Sequence, residues 1–582
     1  MTATANGSSS SAIGPSEVEP AGSPPAAGRP RRAGLDLQQA GLLPSLPAAW
    51  LAGRDRDLLA PLTFLEPGLT PGSLPVPDPV DTSAAPLDRR ELAAALAVAN
   101  GYYGHPRAAE LAAKLADPAT QVVVTGQQPG LFGGPFYTLV KMVAAAKWAA
   151  ALEEAGRPAV AVFWLANEDH DWAEISAATV LGPDGPQVLD LGEDREPLAP
   201  AGMRMLGPEI ETALAGLAAS LVGDAGDAGA AWAATLGRWY RPAARFGEAF
   251  SRLFPHLLGE RCPLILDAML PALKEAERPA LRTLVERRRE VEAAFAARDA
   301  EIEARGHRLQ VAPQRGVSPL FLLQGRARRR IEWQGEDGFT LRGAGGPVRH
   351  VAELLAAIED NPGVVSAGVL ARPAVQDAAL GTCLQVLGPG ELSYIAQAAA
   401  VYPVLQEAVG LPAAPSVTLR PQALVLEERL LTRTAELPLA ALLGDRAALD
   451  QAIARQDRDG DGDDPVALAR RQVEQAIAGL EAPALALDPN LERPLAKTRE
   501  QVLRALDLFA EKAAAAAARK NEVLSRRAEQ VREAALPGGK LQERVVATAW
   551  IAGRHPRLAE SLWQELELDP RILQVIGQEA GS

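Results

Sequence analysis

Cysteine is almost absent from this chain of 582 residues: Cys262 and Cys383 stand far apart, with no CxxC or Cys/His spacing around either. That excludes a disulfide framework and a thiolate zinc site, and it fits a reducing, cytoplasmic setting. Long apolar runs are also missing. The most apolar stretches, such as Ala159 to Ala166 and Val545 to Ala552, are eight residues long, far short of the roughly 20 needed to span a bilayer. Positive charge is in deficit, with 59 Lys and Arg against 73 Asp and Glu and a formal charge of -14. A general nucleic-acid or anionic-membrane surface is therefore not expected.

What is present is an ordinary globular composition, 48% hydrophobic and 23% charged, in a chain long enough to divide into more than one substructure. Residues 1–33 are rich in Ser, Ala, Gly and Pro and read as a disordered tail without a signal-peptide pattern. Beyond it, Gln121 to Thr125 and Ala159 to Leu165 are short, β-branched, nearly unbroken apolar runs, the pattern of strands buried on both faces. Between them, Pro135 to Gly156 has a helical pattern, so strand, helix and strand form a parallel α/β unit. Pro263 to Asp267 and Val364 to Leu370 are further strand candidates for the same sheet. The expected division is a core over residues 34–420, with helical insertions at about 180–262 and 270–350. A helical coiled-coil region at 421–536 and a C-terminal helical segment at 537–582, packing back on the core, would follow.

Leu495 to Leu536 contains neither Gly nor Pro over 42 residues, which predicts one helix of roughly 63 Å. Apolar residues recur every seven positions at Leu495, Val502, Phe509, Ala516 and Val523, a coiled-coil stripe with imperfect intervening positions. Antiparallel pairing with a helix at Pro465 to Leu480 would cover one stripe, and a second copy of the chain another. Asp457 to Gly462 begins like a calcium loop, but its twelfth position is Leu468 and its ninth Pro465, so no metal site is expected.

Three segments could carry chemistry. The first, Thr125-Gly126-Gln127-Gln128 through Gly133-Gly134-Pro135, leaves a buried strand and enters a helix, where backbone N–H groups and a helix N-terminus can approach an anion. Its spacing matches neither GxGxxG nor the Walker pattern. The second, Asn167-Glu168-Asp169-His170-Asp171, ends the next strand. A histidine there can exchange a proton near neutral pH, and an adjacent carboxylate can orient it or raise its pKa, while Asp or Asn could instead cap a helix. The third joins Arg372, Gln376 and Asp377 to Glu391 and Tyr394. Arg372 could hold a carboxylate or phosphate in a bidentate fork, and Glu391 and Tyr394, one helical turn apart, can face one pocket. Arg315, Arg326 and Arg328 to Arg330 offer an anion surface as one reading and a solvated basic face as the favoured one.

Taken together and in order, TGQQPGLFGGPFYTLVK from Thr125, FWLANEDHDWAEI from Phe163, LARPAVQD from Leu370, GPGELSY from Gly388 and LQER from Leu541 resemble the signature segments of the bacillithiol-biosynthesis cysteine-adding family, BshC. The resemblance covers about residues 40 to 570. It implies a Rossmann-like core with inserted connecting segments, a C-terminal coiled coil that forms a homodimer, and a cysteine ligase. The reaction implied is addition of L-cysteine to glucosaminyl-malate, the last step of bacillithiol synthesis. A carboxylate is a poor acyl donor, so activation by ATP is suspected. On this reading Gln127 and Gln128 position nucleotide or substrate, and His170 with Asp169 or Asp171 manages the amine proton. Arg372 then binds a carboxylate such as the malate group. The rivals are a nucleotidyltransferase or synthetase-like enzyme acting on another carboxylate, and a coiled-coil scaffold with an inactive core.

Overall fold

The computed structural model describes residues 17–18, 34–65, 88–182, 185–221, 226–313, 316–409, 414–456 and 465–578. Most of the 1–33 tail and the calcium-like loop at 457–464 lie outside the described residues. Glu17–Val18 form a short strand against Gly34–Asp36. The chain divides into two compact units, one reaching Val425 and resuming at Pro537, the other spanning Leu426–Leu536.

The strands that organise the first unit are, along the chain, β1 (Thr63–Phe64), β2 (Gln121–Gln127), β3 (Ala159–Leu165), β4 (Leu264–Asp267), β5 (Val317–Gln324), β6 (Ala327–Gln334), β7 (Val365–Ala367), β8 (Thr382–Leu387) and β9 (Ser416–Leu419). Six of them form a wholly parallel sheet in the order β1-β9-β8-β2-β3-β4. Alternation along each strand sends Val123, Ala159 and Ala161 to one face, against helix α1 (Tyr137–Glu154). Val122, Val124, Val160, Val162 and Trp164 point to the other face, under helices Arg90–Tyr103 and Ala108–Ala116. Both faces are covered, which is why these strands read as continuous apolar runs. The chain steps outward from β2 through β3 to β4, then returns to place β8 on the opposite side of β2. The order therefore reverses between β2 and β8, and the carboxyl ends of those two strands flank a crevice.

Two expectations are corrected here. The strand foreseen at Val364 to Leu370 is the shorter β7, and it pairs antiparallel with β5, outside the parallel sheet. Its place is taken by β8, whose Thr382 and Gln385 interrupt the apolar pattern. The insertion at about 270–350 is also not purely helical. After α2 (Pro271–Glu286) and the helix Arg288–Ala304 it forms the antiparallel sheet of β5, β6, Gly338–Leu341 and Arg349–His350, completed by β7. Two further helices, α3 (Arg372–Leu380) and α4 (Pro389–Ala398), follow β7 and β8. The C-terminal segment ends in a strand as well as helices, Ile572–Gln578, which pairs antiparallel with Gly34–Asp36.

In the second unit, α5 (Pro465–Leu487) and α6 (Glu492–Lys520) form a hairpin, crossed by the ion pair of Arg470 with Asp507. The expected single helix from Leu495 to Leu536 is broken: α6 stops at Lys520, and α7 (Glu522–Ala535) starts afresh under Asn521, whose side chain accepts the Leu524 N–H at 3.2 Å. Capping by Asn ends the run without Gly or Pro. Along α6 and α7 the buried residues are Ala514, Ala518, Leu524, Ala528, Val531 and Ala535. The stripe read from the sequence is a different one, and its Val502, Phe509 and Val523 are exposed. Among the described residues no helix is long and apolar enough to cross a membrane.

Candidate functional site

A cavity of about 830 Å³ opens at the carboxyl ends of β2, β3, β8 and β9, where the reversal of strand order places ligands in open α/β sheets. Its lining carries two signs of charge. Glu168, Asp169, Asp171 and Glu174 stand with His170 on the segment after β3, while Lys141, Arg328, Arg330, Arg372, Arg420 and Arg544 come from five other places in the chain.

Each group has a structural reason for its position. Lys141 is buried in α1, and its ammonium donates to the Gly126 carbonyl and Gln127 Oε1, both at 2.8 Å, and pairs with Glu391 at 2.5 Å. Burial pushes its pKa down in spite of Glu391. Glu391 opens α4 and accepts the Gly388 N–H at 2.7 Å, so one carboxylate ties the ends of β2 and β8 together through Lys141. Arg372 starts α3 and donates to Tyr394 Oη at 3.0 Å and Gln376 Oε1 at 3.1 Å. Glu168 is held from behind by Lys274, which also meets Glu277 at 2.7 Å in a buried cluster. Arg420, just past β9, forms a bidentate pair with Glu543 at 2.7 and 2.9 Å. Gln542 exchanges two hydrogen bonds with the Val425 backbone. The LQER segment thereby pins the end of the core and delivers Arg544 to the cavity rim.

The segment after β3 is a tight turn. Asp169 Oδ1 accepts the His170 N–H at 2.7 Å, Asp169 Oδ2 accepts from Gln128 at 2.5 Å, and Asp171 caps the next short helix through the Glu174 N–H. On the sequence alone, the carboxylates beside His170 can orient it or raise its pKa. Its pKa is instead lowered, first by burial and then by the Arg328 guanidinium, against the opposing pull of Asp169 and Asp171. Glu174 is raised, chiefly by burial.

Of the residues singled out from the sequence, Gly126, Gln127, Gln128, Glu168, Asp169, His170, Asp171, Arg372, Glu391 and Tyr394 line the cavity. Thr125, Gly133, Gly134, Asn167, Gln376 and Asp377 do not. Thr125 Oγ1 donates to the Val386 carbonyl across the sheet, and Asn167 donates to Asp267. Asp377 sits behind Arg372, bonded by Tyr402 and Gln385, with burial raising its carboxyl to about 6. In the glycine-rich turn the donors at its helix end are already engaged. The N–H groups of Gly133 and Gly134 close the turn on itself, and that of Phe136 is bonded to the Val546 carbonyl. Gly133 and Gly134 have φ values of 85° and 65°, and a Cβ on Gly133 would strike Leu253 and Thr548.

The sequence reading missed Lys141, Glu174, Arg420 and Arg544, and it placed Arg328 in solvent. Arg328 is buried, donating to Ser366 Oγ at 2.9 Å and the Ala367 carbonyl at 3.0 Å. The available signals were a lone lysine inside an apolar helix and alternate arginines on a strand whose partner residues are apolar. Among the described residues no group of three or more His, Cys, Asp or Glu is placed to hold a metal ion.

Fold and site thus define a Rossmann-like α/β protein with a two-signed polar cavity at its switch point and a helical second unit. The family model for the N-terminal Rossmann-like domain of bacillithiol biosynthesis BshC matches residues 80–413, and that for the C-terminal coiled-coil domain matches residues 424–564. A relative from Solibacter usitatus, named "Putative cysteine ligase BshC", is 30% identical over 505 residues, covering 84% of this chain and 90% of its own length. Relatives of the same name from Salinibacter ruber and Koribacter versatilis are 30% and 31% identical, covering 85% and 74% of this chain and 90% and 79% of theirs. The chain belongs to the bacillithiol biosynthesis BshC family.

Proposed function

We propose that this chain is a cysteine ligase of bacillithiol biosynthesis that joins the carboxyl group of L-cysteine to the amine of glucosaminyl-malate in the cytoplasm. The observation that carries this reading is the cavity itself, whose lining brings carboxylates and a histidine together with cations. Both substrates bear carboxylates, which Arg372, Arg330 and Arg544 can receive, the malate group falling to Arg372. As the new C–N bond forms and the C–O bond to the activating group breaks, the amine must lose a proton. The wall of Asp169, His170 and Asp171 is where that proton is handled. Gln127 and Gln128, which line the same cavity, position nucleotide or substrate.

The residues present suit ATP as the activator. Among the described residues the buried Arg420 Nε has no hydrogen-bond partner, and Arg544 adds charge for a polyanion. ATP would supply the activation that a free carboxylate lacks. We also propose a homodimer through the helical unit, because Val502, Leu508, Phe509 and Val523 leave large apolar side chains exposed along α6 and α7.

The test is to incubate the purified full-length protein with L-cysteine, glucosaminyl-malate and ATP and follow the thiol product by mass spectrometry. Condensation with loss of water is expected. Equal turnover with unrelated amine acceptors would favour a synthetase of another specificity.

A further inference from the structure

His170 is the one histidine that lines the cavity, and the partners of its ring restrict what it can do. Arg328 Nη1 lies 3.4 Å from His170 Nδ1. A guanidinium has five donors and no acceptor, so Nδ1 must be the accepting, unprotonated nitrogen and the ring proton resides on Nε2. Arg328 is not free to turn away. Ser366 Oγ and the Ala367 carbonyl hold its other nitrogens, and its guanidinium lies 3.9 Å from the centroid of the Phe321 ring, which also meets the His170 ring edge-on.

The carboxylates beside the histidine do not supply the opposite pattern. Asp169 Oδ1 is 3.9 Å from Nδ1 and already serves the His170 backbone N–H, while Asp171 caps a helix. The other charged groups facing the ring are Arg330 from β6 and Asp194, the latter paired with Arg204. No hydrogen bond within the described residues occupies Nε2, so its N–H is available to the cavity. A ring held in this form presents a donor to a ligand, and its basic nitrogen faces a cation.

We propose that His170 acts as a neutral hydrogen-bond donor through Nε2, stabilising the charge that develops on the acyl oxygen of the activated cysteine. Arg328 is the positioning residue that sets this tautomer, and the amine proton passes to a carboxylate of the same wall, Asp171 or Glu174. This rests on the ligase reading above and divides the work of its acidic wall. Donors aimed at a developing oxyanion typically contribute 10²–10³-fold in rate.

The side chains of Gln and Asn separate donor from base, because the Gln amide N–H overlays Nε2 and the Asn amide reaches only the position of Nδ1. With L-cysteine, glucosaminyl-malate and ATP, His170→Gln should keep turnover within about 10-fold of wild type. His170→Asn and His170→Ala should each lose about 100-fold. The acid limb of the pH profile of kcat/KM should stay in place in His170→Gln, since that limb belongs to a carboxylate. Arg328→Met should lower kcat by about 10-fold in the wild-type background and by less than about 2-fold in His170→Ala, the non-additivity expected of a residue acting through another. Arg328→Lys, which keeps the charge, guards against a folding defect in the Met variant and should recover part of the loss. A His170→Gln enzyme as impaired as His170→Ala, or an equal Arg328→Met loss in both backgrounds, would overturn the proposal while leaving the ligase reading intact. Absence of amide product from the wild-type protein, together with unchanged bacillithiol in cells lacking the chain, would overturn the ligase reading and the proposal with it.

Discussion

Replacing Glu543 by Ala tests how the C-terminal segment completes the site. Arg420 and Glu543 are 2% and 0% exposed, and the pair is bidentate at 2.7 and 2.9 Å. Glu543 Oε2 also accepts the Ala423 N–H at 3.0 Å. Removing the carboxylate leaves a buried guanidinium with only the Pro421 carbonyl at 2.8 Å, and it orphans a backbone N–H. Breaking such a pair from one side costs about 3–5 kcal/mol. In urea, with a slope of about 3 kcal/mol/M, the first unfolding midpoint, followed by tryptophan fluorescence, should fall by about 1–1.7 M. The double variant Arg420→Met with Glu543→Leu should regain most of that loss, because an apolar pair needs no compensating charge, yet it should be inactive because Arg420 lines the cavity. A single variant within about 1 kcal/mol of wild type, or a double variant less stable than Glu543→Ala, would refute the reasoning.

The buried carboxyl of Asp377, raised from 3.8 to about 6 by burial, makes the folded state bind a proton that the unfolded state has released. Its contribution is favourable at low pH and lost as pH rises from about 4 to 6. The unfolding free energy of wild type relative to Asp377→Asn should therefore drop by roughly 3 kcal/mol across that window and stay flat above it. A constant difference from pH 4 to 7 would show that Asp377 ionises normally. For assembly, light scattering should give twice the 61.2 kDa chain mass, and Phe509→Glu in α6 should return the monomer with its helical circular dichroism intact. A wild-type monomer at micromolar concentration would refute the dimer.

How far the sequence could be read depended on whether a residue's environment is local. Strands β2 and β3 were legible because both faces are covered and nearly every position is apolar. Strand β8 was hidden because Gln385 and Thr382 look like surface residues, yet the Gln385 amide donates to Asp377 and Tyr402 inside the core. The break at Asn521 was hidden because a cap needs neither Gly nor Pro. In the site, the groups carried by the turn after β3 stood together in the sequence. Their partners did not: Lys141, Arg328 and Arg420 are charged residues whose burial depends on Glu391, Ser366 and Glu543, up to 250 positions away in the chain. Charged side chains read one at a time default to solvent, and only the assembled fold shows which have been enclosed. The glycine-rich turn shows the opposite case, the N–H groups of Gly133, Gly134 and Phe136 being spent on the turn and on the Val546 carbonyl.

The most direct measurement of the central claim is the thiol profile of cells lacking this chain, because it does not depend on which compound activates the cysteine carboxyl. Bacillithiol should disappear and glucosaminyl-malate should accumulate, with both changes reversed by the intact chain and not by His170→Ala. Unchanged bacillithiol, without accumulation of the precursor, would contradict the assignment.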